Sequence, residues 1–343
     1  MRVDVVFPVL PPTLDGIGDY TSRISDALSA KGCDVRILTA QEEHDINSDV
    51  RVQRAFSLDD WSRLLSLTDA IRSAPPDWLL VQFEQFAYGR YGFTPTLPLV
   101  LWKIKRTLPS VGVAVMFHED FVPVTSWKRA VMTTWQRAQF WTLGRIADLV
   151  AFSVRPWADR YRSWFPSTVV THWPVGSNIP NEGVPRREAR HEVGMGETTF
   201  IAGVFGTLHG PRLNRWIFDA ACALQRKTDN LTLLYVGPHG TVLRDAIPSV
   251  DVHDAGVLSA EQVSVHLSAM DVHLAPFIDG ASTRRGSFLA GLQHGVPTVS
   301  TRGTLTDSLL LEKNGEAFDL TPLDEKAAFR RAVLDLAARP EER

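Results

Sequence analysis

Cysteine is scarce in this chain of 343 residues: there are only two, Cys33 and Cys222, and they lie far apart. This scarcity excludes a disulfide framework and a thiolate metal cage, and it favours a protein of a reducing cytoplasm. Long apolar runs are also missing. The N-terminal run from Val3 to Phe7 is interrupted by Asp4 and ends at Pro8, so it predicts neither a secretory leader nor a membrane span of about 20 residues.

A surplus of positive charge is likewise absent, because 36 Lys and Arg residues face 39 Asp and Glu residues, for a formal net charge of -3. That balance leaves nothing to hold a nucleic-acid backbone across a broad surface, so we expect no nucleic-acid partner. The 23 glycines and 21 prolines are spread along the chain, which argues against a low-complexity linker. What remains is a globular composition, 44% hydrophobic, with enough length for two domains.

Short β-branched and apolar runs alternate with longer stretches of helical periodicity, the pattern of parallel strands joined by crossover helices. The predicted class is therefore α/β. The first half predicts strands at 3–7, 34–39, 78–82, 113–117, 148–152 and 169–171, and helices at 19–30 and 127–146. The second half predicts strands at 200–205, 231–236, 251–256, 272–275 and 298–301, and helices at 215–226, 260–270, 286–294 and 324–338.

The alternation lapses between Pro174 and Arg187 into a loop rich in proline and glycine. We expect a domain boundary here, with an N-terminal domain of residues 1–175 and a C-terminal domain of residues 176–343. Each would be a doubly wound, Rossmann-like unit. Open parallel sheets bind ligands at the carboxyl ends of their strands, and two such units facing each other would form a cleft.

A glycine-containing loop follows the first predicted strand. Gly16 and Gly18 open the next helix and lack the Cβ atoms that would keep a ligand from the backbone, so they could hold a diphosphate. The third glycine of the dinucleotide fingerprint is missing. A tight turn that uses glycine for structural reasons explains the pattern equally well.

Cationic loops precede two predicted helices of the second half. Arg212 stands just ahead of one helix, where its guanidinium could clasp phosphate oxygens; the alternative is a solvated arginine. The stretch 279–287 leads into another helix and combines small residues, hydroxyls and guanidinium groups, which together predict diphosphate binding. Its candidate binding residues are Ser282, Thr283, Arg284, Arg285, Gly286 and Ser287.

These loops, in this order, resemble those of the family 4 glycosyltransferases of the GT-B fold. Residues 15–20 look like the family's N-terminal glycine loop, and 81–84 are similar to the QHE segment of some members. Residues 116–119 fall where the family carries a histidine at the end of a strand, and 174–177 resemble its domain-crossing turn. A further match is the donor-phosphate motif, in which Gly206 stands six positions before Arg212, here in place of the family's lysine.

The resemblance implies two Rossmann-like domains, with the acceptor bound by the first and a nucleotide-diphosphate sugar by the second. It also implies a glycosyltransferase that retains anomeric configuration. We expect no cofactor and no metal, because cations and a helix N-terminus can stabilise the leaving diphosphate. The candidate catalytic residues are His118, Glu119 and Arg212. His118 would bind a donor-sugar hydroxyl or be a packed strand-end histidine, and Glu119 or Asp120 would orient or deprotonate the acceptor.

The sequence also departs from the family pattern. The family's two conserved glutamates fall at Ser282 and Ala290, so both carboxylates are missing, and Thr207 replaces the first arginine of the phosphate motif. Arg284 and Arg285 could restore that charge. Two alternatives stay open. One is a same-fold enzyme that hydrolyses or epimerises a nucleotide sugar, and the other is a non-catalytic nucleotide-sugar binding protein, which the missing carboxylates make plausible.

Two Asp-Val-His triplets, at Asp251 and Asp271, lie inside or beside predicted strands. Histidines in such positions are more often satisfied strand-end residues than metal ligands. We therefore predict no metal site there.

Aromatic residues are dense in the first half, where a glycan, lipid-linked or small-molecule acceptor would bind. Trp127, Val131 and Trp135 form a stripe along a predicted helix, with Lys128 and Arg129 alongside. Core packing is the favoured interpretation of this stripe. The alternative is peripheral contact with a membrane surface, which would place a cytoplasmic protein at the inner face of the membrane.

Overall fold

The computed structural model describes residues 1–41, 50–59, 61–208 and 210–339, apart from the side chains of Trp61 and Ser62. The chain divides into two compact units, unit 1 from Met1 to Pro174 and unit 2 from Val175 to Arg343. Each unit is a parallel sheet with flanking helices, which confirms the predicted α/β class. Among the described residues, no helix has both the length and the apolar character needed to cross a membrane.

Unit 1 contains a parallel sheet of seven strands. The strands are β1 Arg2–Val6, β2 Asp34–Thr39, β3 Arg51–Arg54, β4 Trp78–Phe83, β5 Gly112–Phe117, β6 Leu149–Phe152 and β7 Val169–His172. Its helices are α1 Gly16–Ala30, α2 Ser66–Ser73, α3 Thr96–Thr107, α4 Trp127–Ile146 and α5 Arg155–Tyr161, with short 3₁₀ turns at Trp61–Leu65, Arg90–Gly92 and Arg162–Trp164. The spatial order is β3-β2-β1-β4-β5-β6-β7, so the direction of winding reverses between β1 and β4.

Unit 2 contains a parallel sheet of six strands. The strands are β8 Phe200–Phe205, β9 Leu231–Val236, β10 Asp251–Asp254, β11 Val272–Ala275, β12 Thr298–Arg302 and β13 Phe318–Pro322. Its helices are α6 Arg186–Glu192, α7 Asn214–Gln225, α8 Thr241–Ala246, α9 Ala260–Ser268, α10 Gly286–Gln293, α11 Ser308–Glu312 and α12 Lys326–Ala337. The order β10-β9-β8-β11-β12-β13 places the reversal between β8 and β11, where ligands of such sheets bind.

The central strands are apolar along their whole length because helices cover both faces of a parallel sheet. All six residues of β9 are buried, for example. Two strands escaped the sequence analysis, β3 and β13, and both lie at an edge of their sheet. The residues of β3 are partly exposed, and β13 ends in Pro322, so neither has the continuous apolar run that marks a buried strand.

Helix α4 buries a different face from the one that its aromatic stripe predicted. Trp127 is 73% exposed and Val131 is 51% exposed, so the core interpretation is wrong for these two residues. The buried face instead carries Gln136 and Gln139, whose amides bond to loop backbone; the Gln139 carbonyl accepts from the amide of Thr94 at 2.7 Å. Because the buried face of α4 carries polar residues, it has no clear apolar periodicity in the sequence.

Candidate functional site

The loops after β8 and β9 run close together at the carboxyl edge of unit 2's sheet. Gly206 follows β8 with φ of 97°, and its carbonyl accepts a hydrogen bond of 2.9 Å from the hydroxyl of Tyr235. A Cβ on Gly237, after β9, would lie 2.5 Å from that same carbonyl oxygen. Glycine at both positions therefore lets the loops after β8 and β9 meet at the carboxyl edge of the sheet.

Arg212 lies next to Gly206, where a Cβ on Gly206 would be 3.2 Å from Nη2 of Arg212. Arg212 is only 8% exposed, so it is not the solvated arginine of the alternative interpretation. Its Nη2 donates to the carbonyl of Phe205 at 2.7 Å and to Oγ of Ser287 at 3.1 Å. Among the described residues, its Nε and Nη1 have no acceptor. Burial, and secondly the charge of Arg285, lower the pKa of Arg212 to about 10, which still leaves it cationic at neutral pH.

Arg285, in the loop before α10, lies near Arg212, and Arg284 precedes it in the same loop. Arg212 and Arg285 lie against the ring of Phe277, with guanidinium carbons 4.6 and 4.9 Å from its centroid. Arg284 and Arg285 both pair with the carboxylate of Asp279, at 2.8 Å for Arg284. Burial favours a raised pKa for Asp279, but the two guanidinium groups outweigh it and hold that pKa below its ordinary value.

We call Arg212, Asp279, Arg284 and Arg285 the arginine cluster. It brings three cations and one carboxylate to the start of α10, and the side chains of Arg284 and Arg285 are only 12% and 14% exposed. A Cβ built on Gly286, the first residue of α10, meets nothing within 4 Å. Buried cations beside a helix N-terminus with open space are suited to binding a dianion such as a diphosphate.

The other residues predicted from 282 to 287 differ in what they contact. Ser287 faces Arg212 through its hydroxyl. Ser282 is fully buried, and its hydroxyl has no hydrogen-bond partner among the described residues. The amide and the hydroxyl of Thr283 both donate to Oδ2 of Asp307, at 2.7 and 2.9 Å. Thr283 therefore anchors the loop, and its role as a ligand contact stays a prediction.

His273 on β11 is the histidine of the second Asp-Val-His triplet. It is completely buried, and neither ring nitrogen has a hydrogen-bond partner among the described residues, so it is not the satisfied histidine that we predicted. Burial, with the charge of Arg212 adding to it, lowers its pKa to about 3, so the ring is neutral. Helix α10 approaches it closely, because a Cβ on Gly291 would lie 2.4 Å from Nδ1.

In unit 1, His118 lies directly after β5 and is 5% exposed. Its Nε2 is 2.7 Å from Oε1 of Gln82. Its ring packs edge-on against the ring of Tyr20, with 5.4 Å between the ring centroids. These are the contacts of a packed strand-end histidine, the second of the two interpretations of this residue. Its contact with a sugar hydroxyl stays a prediction.

Carboxylates gather around this part of unit 1. Glu119 is exposed, whereas Asp120 accepts a hydrogen bond of 2.9 Å from the hydroxyl of Tyr161. Sequence reasoning missed Glu84, directly after β4, whose Oε2 accepts from the amide of Phe86 at 2.8 Å. Burial raises the pKa of Glu84 to about 7, and the charge of Glu119 adds to that effect. The signal was present, since Glu84 ends the segment 81–84 that resembles the family's QHE motif.

The glycine loop of unit 1 is part of helix α1. Oδ1 of Asp15 caps the helix by accepting from the amides of Ile17 and Gly18, at 2.9 and 2.8 Å. A Cβ on Gly18 would lie 2.6 Å from the carbonyl oxygen of Val9, whereas one on Gly16 would meet nothing within 4 Å. The close approach of Val9 therefore explains the glycine at position 18, in agreement with the alternative interpretation of a structural turn. Diphosphate binding at this loop stays a prediction.

No family model and no curated protein matches the chain by sequence. Solved structures match over its whole length. Sucrose-phosphate synthase from Thermosynechococcus elongatus has a TM-score of 0.72 at 16% identity, with coverage of 100% of this chain and 91% of that one. WaaG, a glycosyltransferase involved in lipopolysaccharide biosynthesis, has a TM-score of 0.69 at 13% identity, with coverage of 100% and 92%.

HepE from Anabaena, solved in complex with UDP, matches with a TM-score of 0.68 at 14% identity, and the alignment covers 100% of this chain and 91% of HepE. The chain has the GT-B fold. Identities this low show the fold alone, so the reaction has to be argued from the site itself.

Proposed function

We propose that the protein is a glycosyltransferase that takes its sugar from a nucleotide-diphosphate sugar. The observation that carries this proposal is the arginine cluster, above all the buried guanidinium of Arg212, whose Nε and Nη1 have no acceptor in the described part of the chain. A bound diphosphate would accept from those groups and neutralise the cluster. Two comparisons support the class of donor: HepE was solved with UDP-glucose and a starch synthase with ADP.

In this proposal Arg212, Arg285 and the N-terminus of α10 stabilise the negative charge that grows on the departing diphosphate. The cluster supplies this charge without a metal, so we propose a metal-independent reaction. Retention of anomeric configuration follows from the family resemblance. In unit 1, His118 would bind a sugar hydroxyl, and Glu119 would orient the acceptor hydroxyl.

Thermal unfolding with a panel of nucleoside diphosphates and their sugars tests the donor site, because a ligand of the folded state raises the melting temperature. We expect at least one nucleotide sugar to stabilise the protein, with and without EDTA. Arg285→Glu should abolish that stabilisation, whereas Arg215→Glu, an exposed arginine of α7, should preserve it. Stabilisation that is equal in both variants would refute the assignment of the cluster.

A non-catalytic nucleotide-sugar binding protein is the second candidate. Ser282 and Ala290 favour this candidate. They stand where the family that the chain resembles has its two carboxylates, and both are fully buried. Product analysis with the donor alone and with a panel of acceptors separates the candidates. Transfer to an acceptor supports the first, sugar released from the donor alone indicates a hydrolase, and tight binding without turnover supports the second.

We also propose that unit 1 contacts an anionic membrane at its cytoplasmic face through the outer sides of α3 and α4. Three tryptophans project there, Trp102, Trp127 and Trp141, with exposures of 49%, 73% and 48%. Each has a cation over its ring at 5.4 to 5.8 Å, from Arg106, Lys128 and Arg145. Neither helix contains an acidic residue, a composition typical of helices that lie in a lipid interface.

A further inference from the structure

Unit 1 contains two adjoining cavities that the proposed chemistry does not use. The first, of about 500 Å³, is lined by charged side chains, and we call it the polar cavity. The second, of about 370 Å³, is lined largely by apolar groups, and we call it the apolar cavity. Ser57 lines both, so the two cavities adjoin at this residue. Arg54, the last residue of β3, lines the polar cavity.

The polar cavity carries positive charge from Arg63 and Lys103, and the one carboxylate among its described lining residues is that of Asp69. Arg54 also lines it and has an interaction of its own. Among the described residues, neither Arg63 nor Lys103 has an ion-pair partner. Their charge is available to a ligand, and in a chain whose formal net charge is -3 such local positive charge favours an anion.

The lining of the apolar cavity includes a ring fixed by hydrogen bonds and a buried hydroxyl that has no partner among the described residues. The hydroxyl of Tyr88 donates to the carbonyls of Val6 and Gln82, at 3.1 and 2.8 Å, which fixes this ring of the lining. Thr96 also lines the cavity and is only 2% exposed, yet its hydroxyl has no partner among the described residues. A buried hydroxyl without a partner costs free energy that a ligand oxygen could recover.

The two cavities also connect to the surface proposed above to contact lipid. Thr96 of the apolar cavity and Lys103 of the polar cavity both belong to α3. The same helix presents Leu99 and Trp102 to solvent, at 48% and 49% exposure. A molecule held in the cavities would therefore lie beside the residues that we expect at the membrane interface.

We propose that the two cavities form the acceptor subsite and that the acceptor is a phosphate-bearing lipid. Its phosphate lies between Arg63 and Lys103, and the first part of its chain fills the apolar cavity, with an oxygen near the start of the chain bonded to Thr96. This inference rests on the proposed function, since it identifies the acceptor of that reaction. The binding itself needs no donor, so the two can fail separately.

A series of linear alkyl phosphates, each used below its micellar concentration, tests the subsite by calorimetric titration. A water molecule occupies about 30 Å³ in the liquid, and a methylene group is of similar size, so the apolar cavity holds a chain of roughly ten carbons. We expect affinity to rise about tenfold for every two methylene groups and to level off near that length. Inorganic phosphate and octanol should each bind at least tenfold more weakly than octyl phosphate.

Paired variants locate the site. Leu58→Asp places a carboxylate in the lining of the apolar cavity, and we expect it to weaken octyl phosphate binding at least tenfold. Leu99→Asp is the matched control, because Leu99 has similar exposure, 48% against 41%, and lies outside the lining. Arg63→Ala with Lys103→Ala should weaken octyl phosphate at least tenfold and leave octanol unchanged, whereas Arg23→Ala with Lys31→Ala should change neither.

Three results would overturn the inference: affinity that does not depend on chain length, equal loss in Leu58→Asp and Leu99→Asp, or inorganic phosphate binding as tightly as octyl phosphate. The last would identify a free-phosphate site. Thermal unfolding of each variant checks that it folds. Stabilisation by a nucleotide sugar is measured on the same samples. It shows whether the donor site binds its ligand even if the lipid site does not exist.

Discussion

The burial of Arg212 costs folding free energy, and its guanidinium is suited to binding an anionic ligand. Its guanidinium is buried and repelled by Arg285, and two of its donor nitrogens have no acceptor among the residues that the structure describes. Replacing a buried, poorly compensated charge with an apolar side chain is often neutral or stabilising. We therefore expect Arg212→Met to unfold with an unchanged or higher free energy, by up to about 1 kcal/mol, and to bind nucleoside diphosphates at least tenfold more weakly.

Denaturant unfolding and calorimetric titration with UDP and ADP measure both effects. The matched control is Arg215→Met, since Arg215 is exposed three residues further on. A variant that loses stability and keeps its nucleotide affinity would contradict a binding role for Arg212 and assign it to the packing of the loop.

Glu84 gives a prediction on pH dependence. Burial, assisted by the charges of Glu119 and Asp15, raises its pKa from 4.5 to about 7, so the folded chain keeps a proton that the unfolded chain releases. Its contribution to the free energy of unfolding therefore falls as the pH rises from 4.5 to 7. Glu84→Gln removes that dependence, and we expect its stability relative to the parent to increase by about 2 kcal/mol across this window.

Urea unfolding of both proteins at several pH values from 4 to 8 gives the difference directly. The exposed Glu188→Gln serves as control and should show a constant difference from the parent. Parallel curves for Glu84→Gln and the parent would show that Glu84 titrates in its ordinary range.

At the scale of elements, the sequence predicts those whose burial leaves an apolar pattern. Strand β9 lies inside its sheet and was predicted to the residue, whereas the edge strand β3, with the sequence Arg-Val-Gln-Arg, gave no signal. Arg284 and Arg285 of the candidate site were singled out because two adjacent cations before a helix stand out, and Arg212 was singled out because it precedes another helix and stands six positions after Gly206. Asp279 and Phe277 were missed, because a single carboxylate and a single ring have no spacing that marks them before folding.

The first turn of α1 holds two glycines with opposite expected effects. A Cβ on Gly18 would lie 2.6 Å from the backbone oxygen of Val9, which cannot move aside like a flexible side chain. Gly18→Ala should therefore destabilise the protein by about 2 kcal/mol. Gly16→Ala meets nothing within 4 Å and should be neutral or stabilising by up to about 1 kcal/mol. Chemical denaturation of both variants checks this, and equal effects would contradict it.

The outer sides of α3 and α4 predict binding to anionic vesicles. We expect the protein to float with vesicles of phosphatidylcholine and phosphatidylglycerol, and to stay behind when phosphatidylglycerol is omitted or salt is high. Trp102→Ser with Trp127→Ser should reduce flotation at least fivefold, because tryptophan anchors a helix in the interface. Leu309→Ser with Leu311→Ser, exposed to 55% and 48% in unit 2, should leave it unchanged. Equal losses would contradict the assignment of this surface.

For the whole molecule, two sheets with separate cores predict two separable unfolding transitions. Unit 2 buries its own apolar clusters, including one around β8, β9 and α7, and unit 1 has its own sheet and core. A ligand stabilises only the unit that binds it. In scanning calorimetry we therefore expect a nucleoside diphosphate to raise the midpoint of one transition and octyl phosphate to raise the other. Gly18→Ala should lower only the transition that octyl phosphate raises, which identifies it as unit 1. A single transition raised by both ligands would show instead that the chain unfolds as one cooperative body, and the two binding sites would then have to be separated by their variants alone.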